Sequence, residues 1–274
     1  MEQERQTLLV HNYLSVRPFS FVHCIWMSVD LRLLITPIGI FKLFLYIVGM
    51  TADITVLEQT LYGQLKVLCR AIGDDCGDTS VVDRFLKIIE EIAGENVISE
   101  IKEKEPLSYI DLVQEIERVK LRVRTENKRN VYFGIPYVAI NEKCKEFGGK
   151  SLKSAIKSSS YVDEITMHGD KLKFSDDLMI KLFTPTIDGI ITLMKNTVSN
   201  SSTNGVSNDV SNIVMVGGLS ECSLIQEAVY KAFPDNQIII PDNVDLSVLY
   251  WAVLFGHQPD YIWSELRDEE GIGK

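Results

Sequence analysis

The stretch that most limits what this chain can fold into lies near its C-terminal end. Ile213-Val214-Met215-Val216 is followed by Gly217-Gly218 and then by Leu219 to Phe233. Four apolar, mostly β-branched residues in a row suit a strand covered on both faces. Two glycines let the backbone turn sharply and leave no Cβ in the way of an approaching ligand. Ser220 is placed to cap a helix in which Leu224, Ile225, Ala228, Val229 and Ala232 recur at helical spacing. Strand, glycine pair and helix are a common means of holding the sugar or phosphate of a nucleotide beside a helix N-terminus. A second strand, Gln237 to Pro241, and a second helix, Leu246 to Gly256, continue the pattern.

A chain of 274 residues can bury a sizeable core as one large or two small domains. A net charge of -10 argues against a nucleic-acid surface, which needs a basic stripe. It leaves ATP open, because local backbone amides and one or two cations can outweigh the global field. The cysteines (Cys24, Cys69, Cys76, Cys144 and Cys222) are scattered, odd in number and form no C-x-x-C, so structural zinc is disfavoured. That usage fits a reducing compartment, and a cytoplasmic location is the expectation. No two of His11, His23, His168 and His257 stand at ligand spacing, so each reads as a surface or satisfied core residue.

Leu33 to Met50 is almost wholly apolar and approaches the length of about 18–20 residues that a membrane helix needs. Lys42, Pro37 and Gly39 interrupt it. A partly buried strand at its C-terminal end is preferred to a membrane span, which stays as the alternative. Residues 1–40 match no recognisable pattern.

From about Phe44 the organisation is α/β. Asp53 to Leu61 and Gln64 to Ile72 read as two strands joined at Tyr62-Gly63. A Gly/Asp-rich turn then leads into a helix over about Ser80 to Ala93, with Val82, Phe85, Ile88, Ile89 and Ile92 as its apolar stripe. Residues 95–130 are helical and charged, Val131 to Ile140 is strand-like, and Glu164 to Phe174 is a hairpin. Ser175 caps a helical region that Pro185 is expected to split in two. Ser199 to Asn212 reads as a polar loop.

Three constellations can carry chemistry. Thr51-Ala52-Asp53 follows Gly49-Met50, so a hydroxyl and a carboxylate flank a small turn and could touch a terminal phosphate and its Mg²⁺. Alone, such a sequence is more often just a turn. Gly77-Asp78-Thr79 is a second turn that could approach phosphate, or simply a capped helix start. Glu117-Arg118-Val119-Lys120 offers a guanidinium that can stack on a purine and polar groups for ribose hydroxyls, against the plain alternative of a salt-bridged helix face.

Taken in order, the segments TADITVLEQ, DCGDTSVVDRFLKII, SYIDLVQEIERVKLRV, LFTPTIDGII, IVMVGGLSECSLIQEAVYKAF and VLYWAVLFGHQPDYI resemble the 70 kDa heat-shock protein family, and within it a divergent branch. The likeness runs from about Gly49 to Ile262 and is to the second lobe of the nucleotide-binding domain alone. The resemblance implies an α/β fold, a ribonuclease-H-like half of an actin-like ATPase. Its core would come from residues 41–95 and 175–262, with a more helical inserted subdomain over 96–174 and a tail over 263–274. It implies ATP and Mg²⁺ as cofactors. Gly49 and Thr51 would lie in one phosphate turn, Asp53 would orient the metal, and Gly77 would lie in the next turn. Glu117, Arg118 and Lys120 would contact ribose and adenine, and Gly217 and Gly218 would form the adenosine-side turn.

Several positions depart from the family pattern. The phosphate turn of the family reads Asp-x-Gly-Gly-Gly-Thr; here Tyr46 replaces the Asp, Val48 and Met50 replace two glycines, and only Gly49 survives. Asp78 and Trp251 also stand where glycines are usual. With the first lobe, its phosphate turn, its lysine and its carboxylate missing from the sequence, the expectation is weak ATP binding in a chaperone-related chain, without meaningful hydrolysis. Protein clients or co-chaperones are the implied partners. The alternative is a non-catalytic interaction module.

Overall fold

The computed structural model describes residues 41–59, 65–73, 76–124, 131–203 and 210–241. Three consecutive strands open it: β1 (Phe41–Val48), β2 (Thr51–Gln59) and β3 (Leu65–Gly73). Helices α1 (Asp78–Ala93), α2 (Val97–Lys104) and α3 (Pro106–Lys120) follow. Next come β4 (Val131–Gly134), α4 (Tyr137–Gly148), α5 (Leu152–Ser158), β5 (Ile165–His168) and β6 (Lys171–Phe174). The chain then forms α6 (Asp176–Thr203), β7 (Val210–Val216), a 3₁₀ turn (Gly218–Glu221), α7 (Ser223–Ala232) and β8 (Gln237–Ile239).

The main sheet has the order β3-β2-β1-β7-β8. β2 runs antiparallel to β1 and β3, whereas β1, β7 and β8 are mutually parallel. This mixed sheet with flanking helices is compatible with the expected actin-like half. It also explains the apolar run at the start of the described chain. In β1 every residue from Lys42 to Ile47 is buried, because the strand is central and covered on both faces. Burial pushes the pKa of the Lys42 ammonium down.

On one face Leu43, Leu45 and Ile47 stand beside Val56, Ile54 and Ala52 of β2, and Leu43 and Leu45 beside Ile213 and Met215 of β7. These side chains join the core with α1, α6 and α7. The other face carries Phe44, Tyr46, Asp53, Thr55, Val214 and Val216, also buried. The second sheet, of order β4-β6-β5, docks on α1 through an aromatic cluster. Phe85 stacks on Phe174 at 5.5 Å between centroids, and Phe133 meets both edge-on at 5.9 and 4.9 Å.

The elements expected over 44–93, the 164–174 hairpin and the Ser175 cap are present, the last as a bond from Leu178 N–H to Ser175 Oγ at 3.2 Å. Four readings are corrected. The strand-like run 131–140 divides: β4 stops at Gly134, and Pro136 precedes α4, whose Ala139, Ile140 and Cys144 are buried at helical spacing. Pro185 does not split α6, which is continuous through it and buries Leu178, Leu182, Phe183, Thr186, Ile190 and Met194. That burial outweighs the roughly 3 kcal/mol an internal proline costs. The polar stretch 199–212 is helical to Thr203 and a strand from Val210. Ser220 does not cap α7: it lies in the 3₁₀ turn and donates back to the Val216 carbonyl at 2.7 Å, and α7 starts later, after Cys222. The helix expected over 246–256, with Trp251, and residues 1–40 lie outside the described residues.

No helix among the described residues is long and apolar enough to cross a membrane.

Candidate functional site

The parallel strands β1 and β7 end side by side, with Tyr46 opposite Val216. The chain leaves β1 toward β2 and β3 on one side, and β7 leads to β8 on the other. In open α/β sheets the crevice beyond the carboxyl ends of such a pair is where ligands bind. Most of the candidate residues gather at this edge.

β1 and β2 are joined by Gly49-Met50 alone, with Val48 paired to Thr51. Gly49 has φ 57°, the sign a type II′ hairpin requires at its first position, where glycine is favoured. The Met50 side chain is 60% exposed at the tip. Thr51 opens β2, and Asp53 follows on a buried site, 7% exposed, between Tyr46 of β1 and Ile72 of β3.

The second turn is clamped onto the first. Gly77 N–H donates to the Met50 carbonyl at 3.0 Å, and Thr79 N–H to the Gly49 carbonyl at 2.8 Å. A Cβ on Gly77 would lie 2.3 Å from Gly49 O, Met50 C and Thr51 N, so only glycine allows this approach. Gly77 therefore joins two turns, and its N–H is spent on protein rather than offered to a ligand. Thr79 Oγ1 is buried beside the clamp and has no hydrogen-bond partner among the described residues.

Gly217 closes the other side. It has φ 94°, and a Cβ there would meet the Ile47 carbonyl at 2.3 Å. Gly218 differs: among the described residues no atom lies within 4 Å of a Cβ placed there, and its backbone is outside the left-handed region. The next turn reaches α3, since Cys222 Sγ donates to the Lys120 carbonyl at 3.5 Å. The Lys120 side chain is 1% exposed and forms an ion pair with Glu117, which is 37% exposed. Thus Gly77 is joined to the Gly49–Thr51 turn, Gly217 abuts Ile47 near the end of β1, and the turn after Gly218 meets the Lys120 carbonyl through Cys222. Asp53 stands at the second residue inward on β2 from Thr51.

Arg118 is held elsewhere. Its guanidinium pairs with Glu115 at 2.6 Å, and that carboxylate also accepts the Gly134 N–H at 3.2 Å. Glu115, not Arg118, thereby ties α3 to β4, and Arg118 pairs along its own helix. Among the described residues no three His, Cys, Asp or Glu side chains gather to hold a metal by themselves. Mg²⁺ commonly takes one or two carboxylates plus waters and substrate phosphates, so the single buried Asp53 fits that donor pattern.

Over 217 residues the chain is 35% identical to heat shock 70 kDa protein 12A of Homo sapiens, an alignment covering 78% of this chain and 31% of that protein. The same protein from Mus musculus matches at 35% over the same share of each. Heat shock 70 kDa protein 12B of Homo sapiens matches at 29% identity over 218 residues. The chain is a homologue of heat shock 70 kDa proteins 12A and 12B. It spans about 31% of the length of these relatives. No protein-family model matches it.

Three further side chains near this edge were passed over by sequence reasoning. Thr186 of α6 bonds to both Ser80 and Arg84 of α1 directly behind the Gly77 clamp. Ser80 and Arg84 stand one helical turn apart, and Thr186 follows a proline inside a helix. Those were the signals available, and neither distinguishes such a cluster from an ordinary polar surface.

Proposed function

We propose that this chain binds Mg-ATP at the carboxyl edge of β1 and β7, as part of a chaperone-related protein of the 70 kDa heat-shock type. The observation that supports the reading is the set of three glycine turns at this edge, with Cys222 joining the last of them to the Lys120 carbonyl of α3 and no atom of the described residues within 4 Å of a Cβ at Gly218. The adenosine would lie over Gly218, with Glu117 and Lys120 beside the ribose. The phosphates would run toward Gly49 and Thr51, with Mg²⁺ oriented from Asp53. Bound Mg²⁺ would neutralise charge on the phosphate oxygens.

Hydrolysis is not part of the proposal. Met50 and Val48 stand where the family pattern has glycine, and the Gly77 and Thr79 N–H groups are already engaged. The same two observations favour a second reading, a non-catalytic interaction module that keeps the fold without the nucleotide.

Calorimetry with Mg-ATP on the parent chain and on Gly218→Trp separates the two. Gly218 suits the test better than Gly217, because a Cβ there meets no atom of the described residues within 4 Å, whereas one at Gly217 strikes the Ile47 carbonyl. Saturable binding by the parent, lost in a variant that melts like the parent, supports the nucleotide site. A folded parent that takes up no nucleotide at millimolar Mg-ATP refutes it and leaves the interaction module.

A further inference from the structure

Behind the clamp runs a chain of hydrogen bonds whose direction the chemistry fixes. Ser80 Oγ lies 2.7 Å from the Gly77 carbonyl, which can only accept, so the single Ser80 hydroxyl hydrogen points there. Ser80 Oγ also lies 3.0 Å from Thr186 Oγ1. With its own hydrogen used, Ser80 must accept, and Thr186 donates. Thr186 Oγ1 in turn accepts from Arg84 Nη2, and Arg84 Nε donates to the Leu182 carbonyl at 2.7 Å. The order is therefore guanidinium to Thr186, Thr186 to Ser80, Ser80 to the Gly77 carbonyl. Each link polarises the next, and the series is anchored by a charge. Thr186 is fully buried, so water does not compete for its hydroxyl.

The helix that carries Thr186 is shaped to come this close. Pro185 withdraws one backbone N–H from the ladder of α6 just before Thr186. One turn later Gly189 removes a Cβ that would lie 2.4 Å from Cys76 Sγ, in the residue before Gly77. Helix α6 therefore abuts the chain on both sides of the point where it enters the clamp.

We infer that Thr186, Ser80 and Arg84 are positioning residues for the phosphate-side turns: they fix the Gly77 peptide, and through it the carbonyls of Gly49 and Met50. The inference deepens the nucleotide proposal and rests on it for its functional meaning, although the geometry it claims is testable without nucleotide.

Amide hydrogen exchange by NMR on the full chain provides that test, with calorimetry alongside. Thr186→Val keeps the shape and removes the hydroxyl, Thr186→Ser keeps the hydroxyl, and Ser80→Ala breaks the next link. Thr186→Val and Ser80→Ala should speed exchange at Gly77 and Thr79 roughly tenfold while amides of β1 and β7 exchange as in the parent. Thr186→Ser should restore parental rates. Mg-ATP affinity should fall with the two disrupting variants and recover in Thr186→Ser. Unchanged exchange at Gly77 and Thr79 in both disrupting variants overturns the inference, as does a uniform rise across the sheet that marks general destabilisation. If exchange responds as stated but the parent binds no Mg-ATP, the positioning chain stands and the nucleotide reading falls.

Discussion

Replacing Gly77 by alanine adds one methyl group at the point of closest approach between two turns. Three backbone atoms, Gly49 O, Met50 C and Thr51 N, would each lie 2.3 Å from it. None is the end of a flexible side chain, so relief requires the turns to part. Parting them stretches the Gly77-to-Met50 and Thr79-to-Gly49 bonds, 3.0 and 2.8 Å long. Two backbone bonds contribute about 1 kcal/mol each, and forced overpacking costs about 1–3 kcal/mol. Because these describe one event, the expected loss is about 3 kcal/mol rather than their sum. For a domain of this size that lowers the melting temperature by roughly 6–12 °C. Backbone strain is not involved, since Gly77 has φ -91°, open to any residue. Gly218→Ala is the matched control. Among the described residues its Cβ meets no atom, and the smaller freedom of alanine in the unfolded chain should leave stability equal or about 0.4–1 kcal/mol higher. Both variants would be melted by circular dichroism beside the parent. If Gly77→Ala and Gly218→Ala melt together, the clamp has no energetic weight and the reasoning fails.

Two further outcomes follow from the charged and phenolic groups. Tyr161 donates to Glu91 Oε2 at 2.5 Å, and its pKa is pushed from 10.0 up to about 12, by burial first and then by the Glu91 bond and charge. A raised pKa means the stabilising contribution is whole below the ordinary value and fades as pH climbs through 10 to about 12. Melting temperature should therefore fall over that interval more steeply in the parent than in Tyr161→Phe; parallel slopes would count against the assignment. The Glu117–Lys120 pair is asymmetric in burial, so the order of two substitutions is fixed. Glu117→Gln strips the carboxylate from a buried ammonium and should cost about 1.5–3 kcal/mol in urea denaturation. Lys120→Met keeps the packed stem and leaves a carboxylate that water can reach, so it should cost less, and the reverse order would show that the pair is not the main partner of Lys120.

Much of the architecture was legible because burial in a two-sided sheet writes itself into runs of apolar residues. FKLFLYIV, TADITVLEQ and the IVMV part of β7 are strands for that reason. The apolar stripe of α1 was equally readable from its spacing. What was not readable depended on contacts distant in sequence. Val131 to Ile140 looks uniformly β-prone, and only Pro136 with the burial of Ile140 and Cys144 turns its second half into a helix. Pro185 argues for a break locally, whereas the packing of α6 against α1 and the sheet decides for continuity. At the candidate site the glycines could be picked out, but their jobs could not. Sequence alone treats Gly217 and Gly218 as equivalent. Contact with the Ile47 carbonyl makes one of them obligatory, whereas no atom of the described residues crowds the other. Likewise Arg118 and Lys120, two residues apart, end with different carboxylates, Glu115 and Glu117.

The seating of Gly77 and Gly217 against the first hairpin bears on how descent should be read in proteins of this kind. Both positions answer to the architecture before they answer to any ligand. A lineage that abandoned nucleotide altogether would still be held to glycine there by the demand that it fold. Retention of these two residues is therefore silent about activity. Among the described residues nothing imposes such an obligation on Gly218: drift at that position toward larger side chains is the mark by which a lapsed site would be recognised.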